Sequence, residues 1–409
     1  MPLAIGLNSG SSFDGIDATL VEIELGGDGH PTRPRFLAGT TRDWPASVAS
    51  QVLKAFANEL TIFELTRLHY VAGAVYADAA KQLLDQERLT STEVDVIGVD
   101  GQTIYQEPPE RERYSEVPDD DIVARWLNGP YPCGLQIGEP AIIAAHCDIP
   151  VVWNFRPSDH ALGGNAAPLM QYLDFVAFRD LGRTLTLNIG GIANIQLASP
   201  DRSEMMAFDT GPGNVMIDHA MGRLYGKPYD PDGKTAAAGA VDVHLLQELQ
   251  THPFFDRKPP RSAWRLDFGA SYADAVIDQH AHLKAEDIVA TFTRFTAWSI
   301  ALAITRFIPR VEEITVVIAS GGGVRNSTLL AMTREELPPH MRLASSGEYG
   351  IPPQYKEAVK FATLAFAARR LLANNIPAAG GASRFAVLGK TVYPPSYARE
   401  SGGVAPLSA

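Results

Sequence analysis

The sequence of 409 residues has little of several features that mark particular classes of protein. Cysteine occurs twice, as Cys133 and Cys147, which gives neither a disulfide framework nor the spacing of a metal site. We therefore expect a reducing cytoplasm. The start, MPLAIGLNSG, lacks the basic region and the long apolar core of a signal peptide. The apolar stretches are predicted to be too short to span a membrane.

Positive charge is also scarce. Lysine and arginine number 35 against 47 aspartates and glutamates, a formal net charge of −12, and no run of basic residues occurs. This balance argues against nucleic acid and anionic membranes as partners. A phosphorylated ligand would have to be held by local amides, arginine side chains and metal. The ten histidines show no metal-ligand spacing.

Glycine and serine are concentrated near the start of the chain. An apolar run enters Asn8-Ser9-Gly10-Ser11-Ser12, and an alternating run leaves it, which predicts a strand, a tight turn and a strand. Such a turn can direct several N–H groups and hydroxyls at one anion. Asp14 and Asp17 could hold a divalent cation beside it. An ordinary hairpin turn is the alternative, and no Lys-Ser or Lys-Thr follows to make a Walker A loop.

This pattern returns halfway along the chain. TLTLN (184–188) leads into Gly190-Gly191, and ITVVI (314–318) leads into a third glycine turn. The repeated order of strands and helices predicts an α/β protein with two lobes and a nucleotide between them. We expect an N-terminal lobe at 1–183, a C-terminal lobe at 184–395 and a disordered tail at 396–409. Residues 106–132, rich in Pro, Glu, Asp and Arg, are predicted to be an exposed insertion or lid.

Ten motifs stand in order along nearly the whole chain. They are GLNSGSSFDGID (6–17), GQT (101–103), LQIGEP (135–140), NFRPSDHALGGNAAPL (154–169), NIGGIAN (188–194), FDTGPGN (208–214), GKPYDPDG (226–233), SGGG (320–323), KEAVKFA (356–362) and VLGK (387–390). Together the motifs make a highly specific set, and the chain resembles the anhydro-sugar kinase family. The resemblance implies the actin, hexokinase and sugar-kinase fold, with two duplicated RNase H-like lobes and an ATP cleft between them.

The resemblance also implies a reaction. Family members open the 1,6-anhydro bridge of a bicyclic sugar with water and phosphorylate O6 from ATP. Anhydro-N-acetylmuramic acid, converted to N-acetylmuramic acid 6-phosphate, is the default substrate. Levoglucosan, converted to glucose 6-phosphate, is one alternative, and a non-catalytic nucleotide-binding homologue is another. ATP and Mg²⁺ are the implied cofactors, and a homodimer is the implied assembly.

Roles for individual residues follow from the same resemblance. Asp159 is the implied base that activates water, and a helix cap or turn residue is the alternative. The residues implied to bind the nucleotide are Gly10, Ser11, Ser12, Asp14, Gly15, Asp17, Gly190, Gly191, Asp209, Gly211, Gly213, Gly321, Gly322 and Gly323. Those implied to bind the sugar are Gln102, Thr103, Arg156 and Gly164, although Arg156 fits a salt bridge equally well. Asp14 and Glu357 are the implied metal ligands, and a solvated helix face is the alternative for Glu357.

Some positions depart from the family pattern. Asp100 precedes GQT where a histidine is usual, and Asn154 replaces an aspartate. The segment PRSAWRLDF (260–268) carries Trp264 and Leu266 where glycine and glutamate are usual. These changes lie on the predicted sugar side. We therefore expect the nucleotide chemistry to be kept and the sugar specificity to be altered.

Overall fold

The computed structural model describes residues 2–10, 13, 15–118, 120–127, 129–263 and 265–398. Ser11, Ser12, Asp14 and Trp264 lie outside the described residues, as does most of the predicted tail, from 399 to 409. The roles predicted for them therefore stay predictions.

Strands and helices alternate along the described chain. The strands are β1 (Leu3–Asn8), β2 (Ile16–Glu22), β3 (Arg35–Arg42), β4 (Val94–Val99), β5 (Gln102–Gln106), β6 (Gly134–Ile137), β7 (Val151–Trp153), β8 (Thr184–Ile189), β9 (Ile192–Ala198), β10 (Met206–Pro212), β11 (Val316–Ser320), β12 (Arg342–Ser345) and β13 (Lys390–Val392). The α-helices are α1 (Ala46–Phe56), α2 (Ile62–Glu87), α3 (Ile122–Leu127), α4 (Pro140–Cys147), α5 (Arg156–His160), α6 (Met170–Phe178), α7 (Val215–Tyr225), α8 (Lys234–Ala238), α9 (Val243–Gln250), α10 (Arg265–Phe268), α11 (Ala270–Gln279), α12 (Ala285–Phe307), α13 (Ser327–Glu336), α14 (Lys356–Arg369) and α15 (Pro377–Gly380).

Two larger sheets share one five-stranded topology, to which β13 adds an antiparallel edge strand in the first sheet. The first has the strand order β13-β7-β4-β1-β2-β3 and the second the order β10-β9-β8-β11-β12 within the described residues. In each, three consecutive strands pair antiparallel, and two later strands join parallel to the first of them. The repeat confirms the prediction of an α/β protein with two duplicated lobes. A separate small sheet pairs β5 with β6.

The chain divides into two compact units, and the first is discontinuous. It comprises Met1–Val176 together with Glu357–Ala409, and the second comprises Ala177–Lys356. Residues 357–395 were predicted to lie in the C-terminal lobe, and the structure groups them with the first unit instead. The physical reason is α14, which lies against the first sheet. A Cβ on Gly6 of β1 would stand 1.8 Å from the carbonyl oxygen of Ala358 on that helix.

The first unit buries both faces of its sheet. Side chains alternate along a strand, so Ile5 and Leu7 of β1 point away from the face that carries Gly6. Both belong to a buried apolar cluster that includes Leu68 and Tyr76 of α2. Thr61 caps the start of α2: its hydroxyl accepts a hydrogen bond from the N–H of Glu64, and its own N–H donates to the Glu64 side chain in a capping box. This start fixes the helix beside the sheet.

The second unit has α12 as its central helix. α12 is long and apolar enough to cross a membrane by length and composition, so the expectation that no stretch reaches that length was wrong. Of its most apolar window, 78% is buried inside the protein. Ile300 and Ile304 pack in one cluster with Leu187 of β8 and Val317 of β11. The apolar composition of α12 therefore matches its position in a core.

Candidate active site

A buried ion pair lies at the carboxyl end of β4. Asp100 follows the strand and is 2% exposed. Its Oδ2 accepts hydrogen bonds from Nε of Arg156 at 2.8 Å and lies 2.7 Å from Nη2 of the same side chain. Arg156 begins α5, directly after the neighbouring parallel strand β7. The carboxyl ends of parallel strands meet at one edge of a sheet, and this brings the two residues together.

Arg156 also contacts the loop that follows α5. Its Nη1 donates a hydrogen bond of 2.8 Å to the carbonyl oxygen of Ala166. The N–H of Ala166 in turn donates to Oδ2 of Asp159 at 2.9 Å. A continuous series of bonds therefore runs from Asp100 through Arg156 and Ala166 to Asp159. The Arg156 guanidinium thus makes three contacts within the protein, two with Asp100 and one with Ala166. Its binding to a sugar stays a prediction.

Asp159 is a buried carboxylate with few partners. It is 3% exposed, and Oδ1 accepts a hydrogen bond of 3.3 Å from Nδ2 of Asn375. A Cβ on Gly164 would stand 2.1 Å from Oδ2 of Asp159, so only glycine fits there. Burial raises the pKa of Asp159, and the bonds from Ala166 and Asn375 and the charge of Arg111 act in the opposite direction. A desolvated carboxylate of this kind has the properties of a general base.

A small cavity adjoins this carboxylate. Its volume is about 10 Å³, and Asp159, Ala166, Tyr172, Asn375 and Gly380 are among the residues that line it. That volume is close to the minimum for one water molecule, and the lining supplies polar partners. The geometry therefore fits a carboxylate that acts on water.

Gln102 and Thr103 begin β5, one turn beyond Asp100. The Oε1 of Gln102 accepts a hydrogen bond of 2.7 Å from the hydroxyl of Ser9, which itself accepts one of 3.0 Å from Nε1 of Trp44. Gln102 is 1% exposed. It therefore ties the opening hairpin to the end of β4, and binding of a sugar by Gln102 and Thr103 stays a prediction.

The opening hairpin has the predicted form in its described part. β1 and β2 pair antiparallel with Asn8 opposite Asp17, and the carbonyl oxygen of Gly10 accepts a hydrogen bond from the N–H of Phe13. Asp17 accepts a hydrogen bond of 2.6 Å from the hydroxyl of Thr41 on β3. Gly15 also approaches β3, because its Cβ would stand 2.9 Å from a methyl group of Thr41.

The described residues contain no group of three or more His, Cys, Asp or Glu side chains placed to hold a metal ion. Glu357, an implied ligand, lies 3.2 Å from Nζ of Lys360 one turn along α14. Mg²⁺ in phosphoryl-transfer sites usually takes one or two carboxylates and completes its shell with phosphates and water. The carboxylate of Glu357 is chemically suited to that limited role.

Two glycine turns meet in the second unit. Gly190 and Gly191 join β8 to β9, and their carbonyl oxygens accept hydrogen bonds from the N–H groups of Gly213, Asn214 and Val215. A Cβ on Gly213 would stand 2.2 Å from the carbonyl oxygen of Gly190. The close approach of these turns explains the glycine at 213.

The third glycine turn, at Gly321–Gly323, packs against the end of β8. Gly321 has a φ of +85°, and its Cβ would stand 2.6 Å from Oδ1 of Asn188. A Cβ on Gly323 would meet Ile189 at 2.3 Å, whereas one on Gly322 would meet nothing within 4 Å. The structure thus brings three predicted nucleotide turns together at the carboxyl ends of β8 and β11.

Asp209 lies on β10 within the same unit. Its Oδ2 accepts a hydrogen bond of 2.8 Å from the N–H of Ala263. Burial raises the pKa of Asp209 to about 6, against the opposing influence of that bond and of the Arg261 charge. Gly211 follows on the strand, and a Cβ there would stand 3.1 Å from the side chain of Ser299.

Comparison with known proteins decides the family. The family model for anhydro-N-acetylmuramic acid kinase matches residues 2–395. The chain is 37% identical to the anhydro-N-acetylmuramic acid kinase of Salinibacter ruber, over 95% of this chain and 96% of that protein. It is 35% identical to that of Bacillus cereus strain AH187, over 95% and 98%. The chain belongs to the anhydro-N-acetylmuramic acid kinase family. The predicted anhydro-sugar kinase resemblance and the phosphotransferase class are confirmed.

Some residues around Asp159 were found only from the structure and not from the motifs of the anhydro-N-acetylmuramic acid kinase family. Asn375, whose Nδ2 donates to Oδ1 of Asp159, lies 216 residues away in sequence and was not among the predicted site residues. Arg111 lies in the insertion predicted to be exposed. Its Nη2 donates to Oδ1 of Asn165 at 2.8 Å and to the carbonyl oxygen of Gly163 at 3.2 Å. Arg111 therefore links the insertion by hydrogen bonds to the loop that follows Asp159.

His160, next to the implied base, has a structural position. It is 3% exposed, and its Nε2 lies 3.0 Å from Nε2 of Gln106. Burial lowers the pKa of His160 to about 4, so the ring is neutral and accepts this hydrogen bond. The pair joins α5 to the beginning of the insertion.

Proposed function

We propose that this protein is an ATP-dependent kinase that opens the 1,6-anhydro bridge of anhydro-N-acetylmuramic acid and phosphorylates O6. Family membership supports the reaction class. The observation that carries the assignment of roles is the buried carboxylate of Asp159, with a glycine at 164 and a water-sized cavity beside it. The product is N-acetylmuramic acid 6-phosphate.

The proposed step uses one water, one sugar and one ATP. Asp159 takes a proton from the water, whose oxygen attacks C1 and becomes the C1 hydroxyl. The C1–O6 bond breaks, O6 attacks the γ-phosphorus, and the bond from that phosphorus to the bridging oxygen of ADP breaks. The electron pair released from C1–O6 thus forms the new phosphate ester. The proton on Asp159 leaves to solvent after the products depart.

The glycine turns of the second unit are proposed to contact the nucleotide. Backbone N–H groups at such turns favour phosphate oxygens, and Gly322 has space for a ligand beside its backbone. Asp14 and Glu357 are proposed to hold Mg²⁺, which neutralises phosphate charge when it is bound. With a net charge of −12, the protein as a whole repels ATP, so these local groups must supply the attraction.

We further propose a cytoplasmic, homodimeric protein. Both cysteines are free, which suits a reducing compartment. Ile62, Phe63 and Tyr70 project from α2 with 84%, 76% and 51% of their surface exposed, and a second copy would cover them. Light scattering on the purified protein measures the assembly, and a monomer at micromolar concentration would contradict it.

The assay for the proposed function is sugar-dependent release of ADP. Wild type is expected to release ADP with anhydro-N-acetylmuramic acid and to incorporate one oxygen from ¹⁸O-labelled water at C1. Asp159→Asn keeps the shape and removes the base, so kcat should fall by about 10²–10⁴. Release of ADP with neither anhydro-N-acetylmuramic acid nor levoglucosan would refute the kinase, and unchanged turnover in Asp159→Asn would remove Asp159 as the base.

The pH profile gives a second test of Asp159. A base works only when it is deprotonated, and burial raises the pKa of Asp159. We expect kcat/KM to fall as the pH drops through a value above that of an exposed aspartate, about 3.9. A profile that stays flat down to pH 4 would contradict this role.

A further inference from the structure

Ala166 holds an unusual backbone conformation beside the proposed base. Its φ is +52°, in the left-handed region that costs a residue with a Cβ about 1–2 kcal/mol. The residue is 2% exposed. Its N–H donates to Asp159 and its carbonyl oxygen accepts from Arg156. A strained residue of this kind persists only where its surroundings fix it.

Arg156 is itself fixed by Asp100. Two nitrogens of the guanidinium contact one carboxylate oxygen, and a third nitrogen reaches Ala166. Arginine can do this because its donors lie in a rigid planar fork. Removal of the carboxylate of Asp100 would take away the ion pair and the hydrogen bond that orient the guanidinium.

Stability alone does not account for this ion pair. Burying two charges costs desolvation energy that their attraction repays only with good geometry and full hydrogen bonding. Here Oδ1 of Asp100 is buried with no hydrogen-bond partner among the described residues. A buried ion pair is therefore weak evidence for stability, whereas the contacts of Arg156 with Asp100 and Ala166 fix the geometry of the neighbouring loop.

We propose that Asp100 and Arg156 are positioning residues, which hold Ala166 in the conformation that presents its N–H to the carboxylate of Asp159. This inference rests on the proposed role of Asp159 as the base. Neither residue needs to touch the sugar. The family pattern has a histidine at position 100. In this protein Asp100 instead helps to position the carboxylate of Asp159 through Arg156 and Ala166.

The test uses Asp100→Asn and Arg156→Lys in the full-length protein. Asparagine removes the charge, and lysine keeps the charge but cannot span Asp100 and Ala166 at once. The matched control is Asp95→Asn. Asp95 is the second residue of β4, at the end of the strand opposite Asp100, and its Oδ2 lies 2.9 Å from Nη1 of Arg370.

Two readouts are measured on each variant. The first is kcat with the KM for ATP, where Asp100→Asn and Arg156→Lys should lower kcat by about 10–100-fold because the base is misplaced. The KM for ATP should stay within about twofold of wild type. The second needs no activity: hydrogen exchange of peptides that cover residues 164–169 should speed up in both variants. Asp95→Asn should change neither readout.

The outcomes separate this inference from the proposed function. If wild type is inactive with both anhydro sugars, the proposed function fails, while hydrogen exchange still tests the hold on Ala166. If wild type is active, and both variants match Asp95→Asn in kcat and in exchange, the inference is wrong. Faster exchange with unchanged kcat would also overturn it, since the pair would then hold the loop without serving the reaction.

Discussion

At the scale of single residues, each unit buries an aspartate, and hydrogen bonds offset the cost of burying that carboxylate to a different degree in each. Asp159 receives hydrogen bonds from the N–H of Ala166 and from Asn375. Asp209 accepts one from the N–H of Ala263, and burial raises its pKa to about 6. Ionisation of Asp209 at neutral pH therefore lowers the free energy of unfolding.

This difference predicts the effect of Asp209→Asn on stability. The unfolded carboxyl has a pKa of about 3.9, so between about pH 4 and 6 the folded state binds more protons than the unfolded state. The free energy of unfolding should therefore fall as the pH rises through this window, by up to about 3 kcal/mol. Asparagine does not ionise and can keep the bond from Ala263.

Thermal unfolding followed at pH 4 and pH 8 measures this effect. Asp209→Asn should melt at a higher temperature than wild type at pH 8 and at nearly the same temperature at pH 4. Equal melting temperatures at pH 8 would contradict the assignment. If Asp209 also serves the nucleotide, the more stable variant should be the less active one.

At the scale of elements, the contact of α14 with the first sheet depends on two glycines. Gly6 of β1 and Gly98 of β4 stand opposite each other in the parallel register. A Cβ on Gly98 would stand 2.0 Å from the carbonyl oxygen of Phe361, and one on Gly6 would meet Ala358 in the same way. A backbone oxygen cannot move aside as a flexible side chain can, so the helix would have to lift from the strands.

Gly98→Ala is therefore expected to destabilise the first unit by about 1–3 kcal/mol or more. Urea denaturation gives the free energy of unfolding. Gly27→Ala is the matched control, because a Cβ there meets nothing within 4 Å and its stability should stay within about 0.5 kcal/mol of wild type. A Gly98→Ala variant as stable as Gly27→Ala would show that α14 does not lie this close.

The sequence was most informative where the deciding interactions are local. Alternation and glycine turns predicted the hairpin of β1 and β2 and the strand at 184–188, since both patterns are read within ten residues. The partner of α14 was missed, because the apolar sequence of a helix that is buried along most of its length does not show which sheet the helix covers. The pairing of Asp100 with Arg156 spans 56 residues, and only their folded proximity distinguishes it from a sugar contact. Asp159 was identified through the family motif, whereas its bond from Asn375 required the structure.

At the scale of the whole molecule, the second unit interrupts the first. Residues 177–356 are continuous, and the first unit needs both 1–176 and 357 onward. The later segment supplies Phe361, Leu364 and Phe366, which are at most 1% exposed. The two units should therefore respond differently to truncation.

A fragment of residues 177–356 is expected to fold alone, because its sheet and α12 are complete. A fragment of residues 1–176 is expected to remain largely unfolded or to aggregate, because one face of its sheet lacks α14. Circular dichroism and hydrogen exchange on the two fragments measure this difference. A cooperative thermal transition in the 1–176 fragment would contradict it.

The interruption also determines the order in which the parts of the first unit leave the ribosome. Five strands of the first sheet, β1 to β4 and β7, emerge early, whereas α14 and the edge strand β13 emerge only after about 180 further residues have been synthesised. At 5–20 residues per second this interval is on the order of 10–40 s. Throughout it, the surface around Gly6 and Gly98 has no helix to cover it. The nascent chain therefore passes through a period in which this face of the first sheet is open to aggregation.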